Sequence, residues 1–413
     1  MNSAITDEMI ANEILLFFIA LFLHLYRVYT YNTKWKFKML HVRINFPLFP
    51  VMVYFKSMDI CEVTKDLWTY LGQESRPVAI YGMGDGADKI IDELDKRGLS
   101  DLVSAVFASP GFVREGRVFR GFKIESFEDV CARLSDFIVL VAFGSPLPDV
   151  LSYVYSIENK YELYAPDVPV CGGDVFDMEF YIRNKARLEN VYSRLADDAS
   201  RGCFKALVNY KLSGRLDYLR SCEVTPDEAD YLLGPFKENS SFIDLGAYRG
   251  DTLLRFTKMF PSFSSATAVE PERHSFKKLT ECAGSLSIPV TCVNALISDV
   301  CGTAMLTGSR GRGTRTAKTN TGHEIDKVTV DSFADGKSAG FIKFDVEGSE
   351  LLAIEGAKNT IQDQRPQMKI ACYHKSADLF EIPEKVFRIN DNYKLYMRHT
   401  PCIPGWDVDY YFL

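Results

Sequence analysis

Residues 240–252, Ser-Ser-Phe-Ile-Asp-Leu-Gly-Ala-Tyr-Arg-Gly-Asp-Thr, constrain this chain more than any other stretch. Phe242, Ile243 and Leu245 form a short apolar run of the length and type of a buried parallel strand. Gly246 and Gly250 then break the run, and Leu253, Leu254 and Phe256 resume it at helical spacing. Strand, glycine turn and helix bring a ligand up to bare backbone at a helix N-terminus. Gly246 suits the tight turn and Gly250 the close approach of the ligand. Asp244, just before the turn, fits an ammonium better than a phosphate. No Lys follows the second glycine, so this is not a triphosphate-binding loop.

The alternation of strand and helix continues from there to the C-terminus. Residues 265–269 read as a strand ending at Glu270-Pro271-Glu272, with Glu270 placed 24 positions after Gly246. At that spacing an acidic side chain at the end of the second strand can take both hydroxyls of a ribose. Residues 289–293 form a third strand reaching Asn294 and Ala295, where an adenine would lie. Residues 341–344 form a fourth, ending in Asp345-Val-Glu347-Gly348-Ser-Glu350, and a helix through Ile361 follows until Pro366 stops it. Residues 368–371 form a fifth, ending in Tyr373-His374-Lys375, and residues 393–397 and 409–412 close the sheet as late, antiparallel strands. Ligands of open parallel sheets bind beyond the carboxyl ends of the strands. Asp244, Glu270, Asn294, Asp345 and His374 all fall at such ends.

The first half repeats the device with less chemistry. Residues 59–73 have amphipathic spacing (Ile60, Val63, Leu67, Leu71) and predict a helix. A strand over 77–81 leads into Gly82-Met-Gly84-Asp-Gly86-Ala87 and a helix carrying Ile90, Ile91 and Leu94, a second glycine loop of Rossmann type. The strand over 102–107 ends in Ala108-Ser109-Pro110, without the acid that would hold a ribose, which argues against NAD. Residues 58–170 therefore read as a small α/β domain, with nucleotide or nucleotide-sugar binding and a purely structural role both open. Residues 171–235 read as a helical connector capping the next domain, 236–413. Residues 308–323, rich in Gly, Arg and Thr, read as a solvated loop.

Residues 1–57 stand apart. Ile14–Leu25 is mostly apolar, and the stretch 9–29 approaches the ~20 residues of a membrane span, with Asn12, Glu13, His24 and Arg27 inside it. Acidic residues precede it and basic ones follow, the reverse of a secretory signal. Two readings stay open: a weak anchor with its basic side in the cytoplasm, or upstream sequence translated before a start at Met58. Membrane association is expected only through 9–29. A net charge of −7 argues against general nucleic-acid binding. Ten scattered cysteines without a C-x-x-C suit reduced thiols, a cytoplasmic location and no zinc site.

FIDLGAYRGDT, AVEPE, VNALISD, FIKFDVEGSELLAIEGA and KIACYHKSADLFEIP together resemble the FkbM family of class I methyltransferases over residues 220–413. The GMGDGA domain resembles the Rossmann-like module often joined to such enzymes. The resemblance implies an α/β fold with a Rossmann-like, mostly parallel sheet, and S-adenosylmethionine as cofactor. It implies O-methylation of a hydroxyl on a sugar, glycan or natural product. It places Asp244, Gly246 and Gly250 around the amino acid end of the cofactor, Glu270 on the ribose, and Asn294 and Ala295 by the adenine. It places Asp345, Glu347 and His374 at the methyl group and the acceptor. His374 or Asp345 is the candidate base, and no metal is expected. The competing classes are a nucleotide-sugar or NAD oxidoreductase working through residues 78–87, and a non-catalytic scaffold.

Overall fold

A computed structural model describes residues 60–307, 323–334 and 338–413, and the short strand pieces 43–45, 50–52 and 315–316. The chain divides into two units, residues 1–58 and 59–413. In the first, β1 (Arg43–Asn45) pairs antiparallel with β2 (Pro50–Met52). The remainder of the N-terminal extension, including the stretch 9–29, lies outside the described residues. Among the described residues no helix is long and apolar enough to cross a membrane.

The second unit holds two open, mostly parallel sheets. The smaller is built from β3 (Val78–Tyr81), β4 (Val103–Phe107), β5 (Val118–Phe119), β6 (Phe122–Glu125), β7 (Ile138–Val141) and β8 (Leu163–Tyr164), in the order β5-β6-β4-β3-β7-β8. Every residue of β3 and β7 is buried, as the near-continuous apolar composition of parallel strands requires. The larger sheet begins with β9 (Ser240–Leu245), β10 (Phe263–Val269) and β11 (Val290–Val293). A separate four-stranded sheet follows: β12 (Leu296–Ile297), β13 (Gly302–Thr307), β14 (Arg315–Thr316) and β15 (His323–Val328). The large sheet resumes with β16 (Ala339–Phe344), β17 (Gln367–Ala371), β18 (Leu395–His399) and β19 (Val408–Phe412), giving the order β11-β10-β9-β16-β17-β19-β18. The first five of these run parallel; β19 pairs antiparallel with both β17 and β18. This is the α/β architecture expected from the sequence, with β9 the middle of its five parallel strands and buried along its whole length.

Packing fixes that centre. Phe341 of β16 stands in register with Phe242 of β9, and their rings stack at 5.1 Å. Phe256, from the helix Asp251–Met259, covers both. Residues 171–235 carry four helices: Met178–Arg194, Asp198–Ser213, Leu216–Arg220 and Pro226–Asp230. Thr225 and Glu228 form a reciprocal cap at the last of these. Asp197 caps the second helix and grips Arg398 of β18 at 2.6 Å, and Ser200 Oγ accepts from Met397 N. These bonds tie the connector to the large sheet.

Two expectations are corrected. The helix expected over 59–73 covers only Leu67–Leu71, where Asp66 caps it; before it, the amides of Glu62 and Val63 donate to Asn209 Oδ1, which holds the chain outside a helix. The helix after β16 is two, Glu350–Glu355 and Lys358–Gln364. They part at Gly356, where a Cβ would lie 2.1 Å from the Ser298 carbonyl. Of residues 308–323, expected as a solvated loop, 308–314 and 317–322 lie outside the described residues, while Arg315–Thr316 and His323 belong to strands of the four-stranded sheet.

Candidate functional site

The carboxyl end of β9 turns at Gly246, whose φ of +77° suits glycine. A Cβ at Gly246 would lie 1.8 Å from the Asp345 carbonyl, so the turn is pressed against the end of β16. Gly250, at φ +88°, starts the following helix, with Cys282 2.9 Å from where a Cβ would stand. The bare backbone between the two glycines faces the end of β10. There Glu270 Oε2 accepts from Tyr248 N at 2.9 Å, and Oε1 from Glu272 N at 2.8 Å. Burial pushes the Glu270 carboxyl up to about 7, against the pull of those two amides. Each of its oxygens keeps acceptor capacity for a hydroxyl.

Asn294 also belongs to this edge, in a supporting position. Its Nδ2 donates to the carbonyls of Glu270 and Pro271 and so sets the turn that carries Glu270. Ala295 is almost fully buried in the core, so its side chain offers no surface to an adenine.

The ammonium that Asp244 calls for is supplied by the protein itself. Asp244 is fully buried, and Lys343 Nζ stands 3.5 Å from it, 3.4 Å from Asp345 Oδ2 and 3.4 Å from the Gly246 carbonyl. Burial alone would lower the Lys343 pKa; Asp244 and Asp345 outweigh it and hold the ammonium charged. Sequence reading missed this lysine. Its signal is the lone Lys inside an otherwise apolar strand, Phe-Ile-Lys-Phe, since a buried cation needs a counter-charge.

His374 is nearly fully buried at the end of β17. Its Nε2 lies 3.6 Å from Asp345 Oδ1 and its Nδ1 2.9 Å from Glu350 Oε1. Burial would depress its pKa, but Glu350 and Asp345 raise it to about 9. Both of its ring nitrogens therefore face carboxylates, Nε2 that of Asp345 and Nδ1 that of Glu350. Glu350 Oε1 also accepts from Val346 N and Gly348 N, closing the loop that displays Asp345 and Glu347. Glu347 sits at φ +52° within that loop, and its carbonyl accepts from Cys171 Sγ. Glu350, His374 and Asp378 bring three ligand atoms within 4.8 Å of one another and form a metal-capable group among the described residues. Asp378, pushed up to about 7 by burial and then by Glu350, also accepts from Lys375 N.

Asp244, Gly246, Gly250, Glu270, Asn294, Asp345, Glu347 and His374 thus share one edge of the sheet. The glycine loop of the smaller sheet differs. A Cβ at Gly86 would lie 2.3 Å from the Ala142 carbonyl, so that glycine serves helix packing. Where a ribose-binding acid would stand after β4, Ser109 Oγ is bonded to the Tyr81 hydroxyl at 2.5 Å.

Residues 244–392 match the model of the methyltransferase FkbM domain. In fold the chain is similar to the crystal structure of a methyltransferase FkbM from Methylobacillus flagellatus KT. The TM-score is 0.63 at 20% identity, covering 82% of this chain and 90% of that one. A putative rRNA-methylase from Clostridium thermocellum gives a TM-score of 0.28 at 12% identity over 45% of this chain and 92% of its own, a score that carries no argument. No curated protein matches the sequence.

Proposed function

With a methyltransferase domain of the FkbM family at residues 244–392 as the premise, we propose that this protein methylates a hydroxyl oxygen of a sugar or natural product, with S-adenosylmethionine as donor. The observation that carries this reading is the contact of the Gly246 turn with the Asp345 backbone, which brings a cofactor loop and a candidate base to one point. The residues fit the donor. Glu270 is a buried carboxylate with acceptor capacity left over, beside the glycine turn. Tyr248 and Arg249 within it are exposed. Glu270 would hold the ribose hydroxyls and the glycine turn the amino acid end.

When bound, the donor supplies a methyl carbon on a sulfonium with a neutral thioether as leaving group. The protein's own work is positional and protonic. Asp345 receives the proton of the acceptor hydroxyl. Lys343 from below and His374 from the side fix the Asp345 carboxylate, and Tyr373 Oη reaches it at 3.4 Å. Glu350, through His374 and the loop amides, holds the whole display still. Orientation of this kind is a large part of what an enzyme contributes to a displacement.

Calorimetry on the full chain tests the cofactor. S-adenosylhomocysteine is expected to bind and NAD to give no heat; binding of NAD alone would return the oxidoreductase reading. Asp345→Asn is expected to keep the affinity for S-adenosylhomocysteine while abolishing its release on turnover with methyl glycosides.

A further inference from the structure

The smaller α/β domain reaches the large sheet at two places. At the first, Ser145, four residues beyond β7, exchanges both backbone hydrogen bonds with Ile403, at 2.8 and 3.2 Å, in the turn between β18 and β19. Beside it Gly144 lies against the Trp406 ring so closely that a Cβ there would stand 2.0 Å from it. The second place is the chain that leaves β8, residues 165–171, and it leads to the loop that displays Asp345.

This strap is pinned along its length. The Ala165 amide donates to the Gly214 carbonyl at 2.8 Å, and the Ala165 carbonyl accepts from the Tyr210 hydroxyl at 2.8 Å. Asp167 pairs with Lys211 at 2.8 Å, both side chains being buried. Such a pair resists displacement, since parting it strands a buried charge. Lys89 Nζ, from the helix that follows the smaller domain's glycine loop, donates to the Val170 carbonyl at 2.7 Å. Beyond these anchors the strap meets the ends of β16 and β17. The amides of Val170 and Cys171 donate to the His374 carbonyl at 3.0 and 3.2 Å. Cys171 Sγ donates to the Glu347 carbonyl at 2.9 Å. Gly348 passes so close that a Cβ on it would lie 2.6 Å from the Cys171 Cβ.

The loop after Asp345 is therefore gripped twice. Glu350 Oε1 takes the amides of Val346 and Gly348, and Cys171 takes the carbonyl of Glu347 between them. Glu347 needs that grip, because a non-glycine residue at φ +52° persists only where its surroundings hold it. We propose that Cys171 is a positioning residue for methyl transfer, acting through the Glu347 and His374 carbonyls to keep the Asp345 carboxylate and the His374 ring at their working separation. This rests on the methyl-transfer reading above. It gives the smaller domain a task at the active edge that calls for no nucleotide.

Histidine NMR and turnover on the full chain test it together. The chain has six histidines, and His374→Gln identifies the His374 signal in isotope-labelled protein. The His374 midpoint reads the loop geometry: burial depresses it, and Glu350, Asp345 and Glu347 raise it to about 9. Cys171→Ala is expected to lower that midpoint by at least about half a pH unit. Cys171→Ser, whose hydroxyl can donate to the same carbonyl, is expected to restore it. Lys89→Met, which frees the strap from the smaller domain's side, is expected to lower it by less. Release of S-adenosylhomocysteine with methyl glycosides should lose at least about tenfold in kcat in Cys171→Ala, with KM for S-adenosylmethionine within about twofold. Unchanged affinity for S-adenosylhomocysteine in all three reports folding. The proposal is overturned if neither Cys171→Ala nor Lys89→Met moves the midpoint, if Cys171→Ser fails to restore what Cys171→Ala loses, or if kcat is unaffected while the midpoint falls. Failure of the wild type to bind S-adenosylhomocysteine would sink the methyl-transfer reading instead, and the two failures are read from separate signals.

Discussion

The glycine loops at Gly82–Ala87 and Gly246–Gly250 use one backbone device in two electrical settings. Both follow a buried parallel strand, and both lead into a helix. Around the second stand Asp244, Lys343, Asp345, His374 and Glu350, connected through contacts of 2.9 to 3.6 Å, with Glu270 across the turn. Around the first, the corresponding strand end offers a serine already bonded to a tyrosine. The lesson is that a glycine turn supplies only access. Which ligand uses that access depends on the titratable groups that neighbouring strand ends bring to it.

The sharpest way to break this comparison is to add one methyl group to each loop. Gly246→Ala would place a Cβ 1.8 Å from a carbonyl oxygen at a left-handed φ, and loss of S-adenosylhomocysteine affinity by at least about a hundredfold is expected in calorimetry. Gly86→Ala, with a comparable clash against Ala142, should lower the melting temperature and leave that affinity unchanged. Equal loss of affinity in both would end the distinction between the loops.

The charged setting can be tested next. Lys343→Met leaves Asp244 buried without its counter-ion, and a loss of about 3–5 kcal/mol in denaturant unfolding is expected. His374 gives the pH dependence. Its pKa is raised from 6.5 to about 9 on folding, so its contribution is complete below pH 6.5 and is lost as pH rises through 9. Stability should therefore fall across that window by up to roughly 3 kcal/mol, and Glu350→Gln should flatten the fall. A smaller effect belongs to Glu270. With its carboxyl up at about 7 in the free protein, affinity for S-adenosylhomocysteine should weaken as pH drops below 7. Glu270→Gln should bind about tenfold more weakly and lose that pH dependence. At the far end, Gly84→Ala, with nothing within 4 Å of its new methyl group, should change neither binding nor melting measurably.

The sequence made the large sheet legible because its parallel strands are apolar throughout and end in short polar motifs. Glu270 could be placed at its strand end from its spacing alone, since a turn, one helix and one strand leave little freedom between Gly246 and the next strand end. What spacing could not supply was charge state. Spacing does not show that Glu350, 24 positions earlier in the chain, stands beside the other nitrogen of His374 and raises its pKa. Asp244 looks like a ligand for an external ammonium until Lys343 is found across the strand pair. Residues 60–66 were misread for a related reason: their apolar spacing fits a helix, but Asn209, far along the chain, captures two of their amides. Spacing places a group at a strand end; it does not show which side chain of another element pairs with that group.

The fit of Trp406 over Gly144 has a consequence for how such a protein can be altered. Positions 144 and 406 are steric complements: any side chain at the first requires a smaller or displaced ring at the second. The N-terminal domain is therefore no interchangeable cartridge. A replacement taken from another protein would dock here only if it presented bare backbone at that one place, and a chimera lacking it would need a compensating change 262 positions along the chain.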